Sequence, residues 1–514
     1  MEFHELFTSS VSACFELAST TPYYAQEPYD VTLDGAAALT GVRTNIFSLF
    51  DLKPGTEYRV GVGSSELRIR TKDETACLSV RDFGAAGDGV TDDTAAIQAA
   101  VDVCPAGGRV RVGRGTYLTG PIQLKSHMTL ELTDGAVLLG DPEESHWPVL
   151  PGELTDPATG EAVQISSFEG EPQTCHKSFI SAYFAEDITI TGRGRLDANA
   201  QNSTWWIDVK NRAIARSRLM FLNGCRHVTI HGITGCNSPA WNFHPFFSQD
   251  VSFLDMAVEA PKNSPNTDGS DPESCDGVRY LGVRFSVGDD AIAIKSGKIY
   301  MGMKYQTPAS NHVIRNCLME YAHGAVVLGS EMSGGIRDLT VSQCYFRSTD
   351  RGLRIKTRRG RGKYAVVDGV EFSNIRMDNV MTPLVLNMYY FCDADGKSEW
   401  VQDKGPRAVD DSTPRLGAFT FRDMVCTDCE WAAGFFYGLP EMPVASITID
   451  SVRFEMKTAG AGSGVPAMMN DVGAMCRAGL IFHNVEKVTL RNVTVSGVAG
   501  DEITADGVGE LVRE

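Results

Sequence analysis

Short runs of alternating apolar and polar residues, not helical stripes, dominate this chain. Nine of them share one form: DITITG (187–192), HVTIHG (227–232), DVSFLD (250–255), GVRYLG (277–282), HVIRNC (312–317), DLTVSQ (338–343), GVEFSN (369–374), SITIDS (446–451) and KVTLRN (487–492). Each reads as a short strand with alternate side chains on one face, often ending in Asn, Asp or Gly, which tolerate a sharp turn. Start-to-start spacings run from 23 residues (227 to 250) to 41 (446 to 487), leaving out the gap from 374 to 446. One helix is expected early, where Asp92-Asp93-Thr94 can cap a segment whose apolar face is Ala95, Ile97, Ala100 and Val101.

Short strands recurring at this spacing predict a solenoid. Leucine-rich repeats need a different Leu and Asn spacing, and a propeller blade needs more strands per unit. A parallel β-helix fits, with two or three short strands per coil and a continuous core between coils. The early helix would cap one end of that core. The gaps at 141–178 and 391–416 read as loops over one face, where a solenoid builds its binding cleft. The first 76 residues differ in texture. LKPGTEYRV (52–60) resembles a fibronectin type III domain, with Tyr58 at the corner before a late strand. The expected organisation is all-β: a β-sandwich over 1–76, a spacer or wall, then a β-helix catalytic domain over 77–514.

Charge and composition narrow the function. Net charge is 47 − 65 = −18, so a general nucleic-acid partner is excluded by the average field. No apolar run approaches the roughly 20 residues that cross a bilayer, so no membrane partner is expected. The thirteen cysteines are spread along the chain, and Cys426 and Cys429 lack a second pair for zinc. The start carries Glu2, Glu5 and Glu16 and no positive region, so a cytoplasmic location is expected. A periplasmic or secreted location follows instead if a leader has been removed.

Four motifs carry the chemistry. NTDGSD holds Asn266 and Asp268, GDDAIAIKSGK holds Asp289, Asp290 and Lys295, AHG holds His323, and RGLRIKTRRGRGK holds Arg354 and Lys356. Asp268 and Asp289 lie 21 residues apart, close to one coil, so three carboxylates would crowd one region. Like charges at that range leave one acid protonated and others ionised, which glycoside hydrolysis uses. A turn or a Ca²⁺ site uses the same residues. Arg354 and Lys356 alternate along a strand and share a face. Seven basic residues and no acid lie between 351 and 363; Arg361 and Lys363 read as a solvated loop. Bases that hold a sugar carboxylate beside acids that cut a bond point to an anionic sugar such as a uronic acid.

NTD, DD, a His flanked by Gly, and RIK, in that order, resemble glycoside hydrolase family 28, the polygalacturonases, with Ala322 replacing the first Gly of the family's GHG. The resemblance covers roughly residues 78–510. It implies a right-handed parallel β-helix and inverting hydrolysis of α-linked galacturonate in oligogalacturonides or pectic polysaccharide, with no cofactor and no metal. It implies Asp289 as general acid, Asp268 and Asp290 as activators of water, and His323 as support for the acid. Arg354 and Lys356 would hold the substrate, with Asn266, Lys295 and Tyr390 of LNMYY in the binding set. DPESC, IKSGK and GSEMSGG resemble the bacterial exo-acting members, so exo action is expected. Rhamnogalacturonan or xylogalacturonan hydrolysis, a calcium-dependent pectate lyase and a non-catalytic carbohydrate-binding β-helix are the alternatives.

Overall fold

The computed structural model describes residues 1–392 and 394–514. Thirty strands among the described residues join in one hydrogen-bonded sheet, and from Cys77 onward their pairings are parallel. All nine repeat segments lie on strands of one stack, such as Glu186–Gly192, Arg226–His231 and Gln249–Leu254, each paired in register with the next. A second stack follows in each coil, and a third runs through Met220–Asn223, Phe243–Phe246, Ile292–Ile294, Val326–Gly329, Arg351–Lys356 and Thr382–Asn387. This is a parallel β-helix. Alternation explains it: Ile188, Ile190, Val228, Ile230, Val251 and Phe253 point inward and are buried, column on column.

The sequence reading passed over one coil. Ala418–Cys429, inside the gap from 374 to 446, pairs with Val366–Asp378 on one side and Val444–Met456 on the other. The helix forms over Thr94–Val103 and buries Ile97, Ala100 and Val101 in the main core, as expected. Ala95 is exposed instead, and Ala96 takes its place against the core. Asp93 does not cap through its side chain; its carboxylate accepts from the backbone of Ala86 and Gly87.

The first seven strands form two antiparallel sheets around a separate core that includes Phe15, Val31, Phe47 and Val60. The Tyr58 hydroxyl accepts from the Lys53 amide at 2.9 Å, tying the turn before its strand. This unit docks on the helix through buried polar contacts: Ser12 to Thr191 at 2.8 Å, Ser48 to Asp255 at 2.6 Å, and Glu16 to Arg315 at 2.7 Å and Asn316 at 2.6 Å. Those partners belong to the first stack and its corners, so the unit does not wall the third stack, where the motifs lie. No helix among the described residues is long and apolar enough to cross a membrane.

Candidate active site

The third stack brings the four motifs together. Its register runs Phe243, Ser270, Ile292, Val326, Leu353 along an inward column. Counting back two residues, Asp268 opposes Asp290, not Asp289, and the Gly269 amide donates to the Asp290 carbonyl at 2.9 Å. Asp289 opposes His323, whose amide donates to the Asp289 carbonyl at 3.0 Å. Outward positions of the same strands carry Arg354 and Lys356, while Leu353 and Ile355, alternating with them, are core.

Asp268, Asp289 and Asp290 offer carboxylate oxygens that all lie within 4.8 Å of one another. Their surroundings differ. Asp290 is 1% exposed and receives Lys356 Nζ at 2.7 Å and an Arg354 guanidinium nitrogen at 3.5 Å. Burial opposes its charge, but the two cations outweigh burial and hold its carboxyl well below the usual range. Asp268 is buried without such a partner. Desolvation, then the charges of Asp271 and Asp289, push its carboxyl well above the usual range. Asp289 is the most exposed of the three, its side chain 24% accessible, and His323 Nδ1 lies 3.3 Å from its carboxylate. His323 is raised chiefly by that hydrogen bond. The crowding expected from sequence therefore occurs, and together with burial it raises the Asp268 carboxyl.

A cation could be imagined on three such carboxylates. Lys356 and Arg354 already counter the charge of Asp290, which leaves less negative charge for a cation to meet. The other cluster of metal-capable groups, His127, Glu186 and Asp187, is exposed on the first stack.

The remaining sequence candidates flank the acids. Arg216 donates to the Asn266 side chain at 2.6 Å. The Tyr390 ring centroid is 5.7 Å from Lys356 Nζ. Lys295 is buried, paired with Glu331 at 3.0 Å and Asp271 at 3.4 Å, and lies 4.7 Å from the Trp241 ring. Arg361 corrects the sequence reading. It is buried, not solvated, and its charge helps to hold Glu331 down to about 2, behind Lys295 and Lys356. Lys363 is exposed and pairs with Asp411, as expected.

Sequence reasoning missed a buried polar floor beside the acids: Arg218, His244, Asp271, Glu273 and Glu331. His244 meets Glu273 at 3.0 Å, and Arg218 is enclosed by the rings of Phe168, Phe221 and Trp241. Burial raises Asp271 to about 8 and Glu273 to about 7. The signal was available in register: Asp271 stands three residues after Asp268 and opposes Ala293 next to the Ile292 column.

Loops close over both sides. From 141–178, Phe168 stacks on Trp241 at 5.3 Å, and the Gly170 carbonyl accepts from the Lys298 amide. From 391–416, Asp395 pairs with Arg358. A third loop, around 457–477, was not foreseen. Arg351 donates to the carbonyls of Val465 and Pro466, Asn387 donates to that of Met468 at 3.1 Å, and Arg354 Nη2 lies 3.0 Å from the Met468 sulfur. Arg354 and Lys356 are buried beneath this cover.

Comparison with known proteins points to one family. The model of glycosyl hydrolases family 28 matches residues 150–400, and one described as rhamnogalacturonase A/epimerase, pectate lyase-like, matches 77–152. A probable polygalacturonase of Vitis vinifera is 32% identical over 409 residues, 77% of either chain. An exo-poly-alpha-D-galacturonosidase of Dickeya chrysanthemi is 26% identical over 518 residues, 87% of this chain and 80% of that one. A family 28 exopolygalacturonase structure from Yersinia enterocolitica shares the fold, with a TM-score of 0.69 at 18% identity, covering 100% of this chain and 98% of that one.

Proposed function

The chain belongs to glycosyl hydrolases family 28, and we propose that it hydrolyses α-1,4-linked galacturonate, releasing product from a chain end. The observation that carries this reading is the trio Asp268, Asp289 and Asp290 within 4.8 Å, with Lys356 and Arg354 against Asp290. Hydrolysis needs one proton donor and one ionised carboxylate that activates water. Lys356 and Arg354 keep Asp290 ionised, and the same two cations lie where a uronate carboxylate would be gripped. Asp289 faces the mouth with His323 against it, so it is the group placed to protonate a leaving oxygen. Asp268 completes the water-activating pair; the burial that raises its carboxyl supports a second assignment in which it is the donor.

The separation of the carboxylates does not set the stereochemistry. Inverting enzymes usually hold the two groups about 6.5–9.5 Å apart so that water fits between them. This trio is tighter, so the water would sit in front of Asp268 and Asp290 rather than between base and acid. Inversion is what this reading entails: water held against the ionised Asp290 attacks the sugar while Asp289 protonates the leaving oxygen, and no carboxylate bonds to the sugar.

Exo action is supported by the loops at 141–178 and 457–477, which cover the cleft on either side of the acids, and by the exo-acting relative. All thirteen cysteines are free, which fits action on short imported oligomers in a reducing compartment.

The test is a product profile on purified oligogalacturonides. Steady release of mono- or digalacturonate from one end is expected. A random ladder would overturn the exo reading, and turnover only of rhamnose- or xylose-decorated chains would replace the substrate.

A further inference from the structure

We propose that Lys404, Tyr437 and His483 form a second uronate-binding site, outside the catalytic cleft on the same face of the helix. The proposal rests on the galacturonan substrate proposed above.

The register leads to it. Lys356 opposes Asn387, Asn387 opposes Tyr437, and Tyr437 opposes His483. The outward column that carries Lys356 thus continues for three more coils, with Tyr437 on the second, roughly 10 Å away at ordinary strand spacing. The 457–477 loop crosses between, with the Met468 carbonyl on Asn387 and the Asn470 amide on Gln402 Oε1. Beyond that crossing the column emerges half-buried.

What emerges suits an anionic sugar. Tyr437 and His483 stack at 4.4 Å with 26° between planes, and Tyr389 meets Tyr437 edge-on at 5.3 Å. Lys404 Nζ lies 3.9 Å from the Tyr389 centroid and 5.9 Å from that of Tyr437. It donates to the Gln402 carbonyl at 3.0 Å and forms no ion pair with any described residue. Asp471 and Asp403 raise its pKa and Arg359 lowers it, and His483 Nδ1 lies 3.4 Å from the exposed carboxylate of Asp506, which a bound uronate would have to displace. Asp403 is engaged by Arg407, and Arg359 by Glu441. In a chain with eighteen surplus acids, a half-buried ammonium without a carboxylate is unusual. A pyranose can lay its apolar face on an aromatic ring while its carboxylate meets the ammonium. Burial, with Arg359, lowers Lys404 to about 8, so it is still mostly charged at neutral pH.

Because the loop separates this site from the acids, it engages a different stretch of polymer from the one being cut. Long chains gain affinity from it, and the shortest substrates do not. The experiment measures binding in an Asp289→Asn background and turnover in the active enzyme, on polygalacturonate and on trigalacturonate. Lys404→Met should weaken polygalacturonate binding and kcat/KM about fivefold, the loss fading as salt rises, and leave trigalacturonate unchanged. Lys404→Arg should retain the parent values, and Tyr437→Ala should act in the same direction as Lys404→Met. Unchanged polygalacturonate binding in both Lys404→Met and Tyr437→Ala would overturn the site. If the unmodified enzyme neither binds nor cuts either substrate, the substrate reading itself fails, and this site fails with it.

Discussion

The two faces of the third strand stack share one backbone and differ in everything else. Along Arg351–Lys356, Leu353 and Ile355 point into the core, while Arg354 and Lys356 point into the cleft. The inward face repeats from coil to coil with interchangeable apolar residues. The outward face changes at each coil, and there a one-coil step reverses the electrostatics: burial pushes the Asp268 carboxyl up, while two cations hold that of Asp290 down. A regular scaffold thus holds two acids of unlike surroundings at a fixed spacing, so fold and catalysis can be broken separately.

The largest separation should come from Asp289→Asn. It removes the proposed proton donor from the outward face and leaves the core intact. Turnover should fall by about 10²–10⁴-fold with the melting temperature unchanged; a near-normal rate would remove Asp289 from that role. Leu353→Ala makes the opposite cut. It should cost about 2–5 kcal/mol in denaturant unfolding while the pH profile of the surviving enzyme keeps its shape. A profile that shifts would mean the two faces are coupled.

Lys356→Ala tests the outward face more finely. KM for an anionic substrate should rise in a salt-sensitive way, and the acid limb of the pH–rate profile should move to higher pH, because Lys356 is the strongest charge holding Asp290 down. A rise in KM with no movement of the acid limb would assign Lys356 to binding alone.

A smaller effect concerns the buried floor. Burial raises Glu273 to about 7 and Asp271 to about 8. An acid raised on folding stabilises most at low pH, and that stability is lost as pH rises through its folded value. His231 and His312, lowered by burial to about 3 and about 4, act in the opposite sense but mainly below pH 6.5. The melting temperature should therefore fall between pH 6.5 and 8, and Glu273→Gln should flatten that slope. A rising melting temperature over that range would contradict the burial assigned to these acids. The smallest effect should be at Lys363→Ala, whose partner Asp411 is exposed: no measurable change in stability or rate is expected.

The inward face was legible in sequence because burial on one side of a strand imposes a period of two. All nine alternating segments became strands of one stack. The coil at Ala418–Cys429 escaped because it sits next to a long insertion, and the whole interval from 374 to 446 was set aside. The site residues were legible because ordered motifs marked them, and the coil spacing gave their proximity. The finer register was not: a count of 21 residues suggested that Asp268 stacks on Asp289, whereas it opposes Asp290. Basic residues also misled. Arg361 reads as solvent-facing by charge, yet it lies buried near Glu331, and its neighbours Arg358 and Arg359 pair with Asp395 and Glu441. Those acids lie in distant segments, and no local pattern connects them. The third loop carries Gly and Met residues without periodicity, so nothing in its sequence announced that Met468 would lie against Arg354.

The central claim is that Asp268, Asp289 and Asp290 perform inverting hydrolysis without a metal. Proton NMR of the first-formed product from trigalacturonate, with chelator present, tests it directly. The account predicts saturated galacturonate appearing first as the β anomer, at an undiminished rate. An α anomer formed first, or an unsaturated product that appears only when Ca²⁺ is restored, would contradict it.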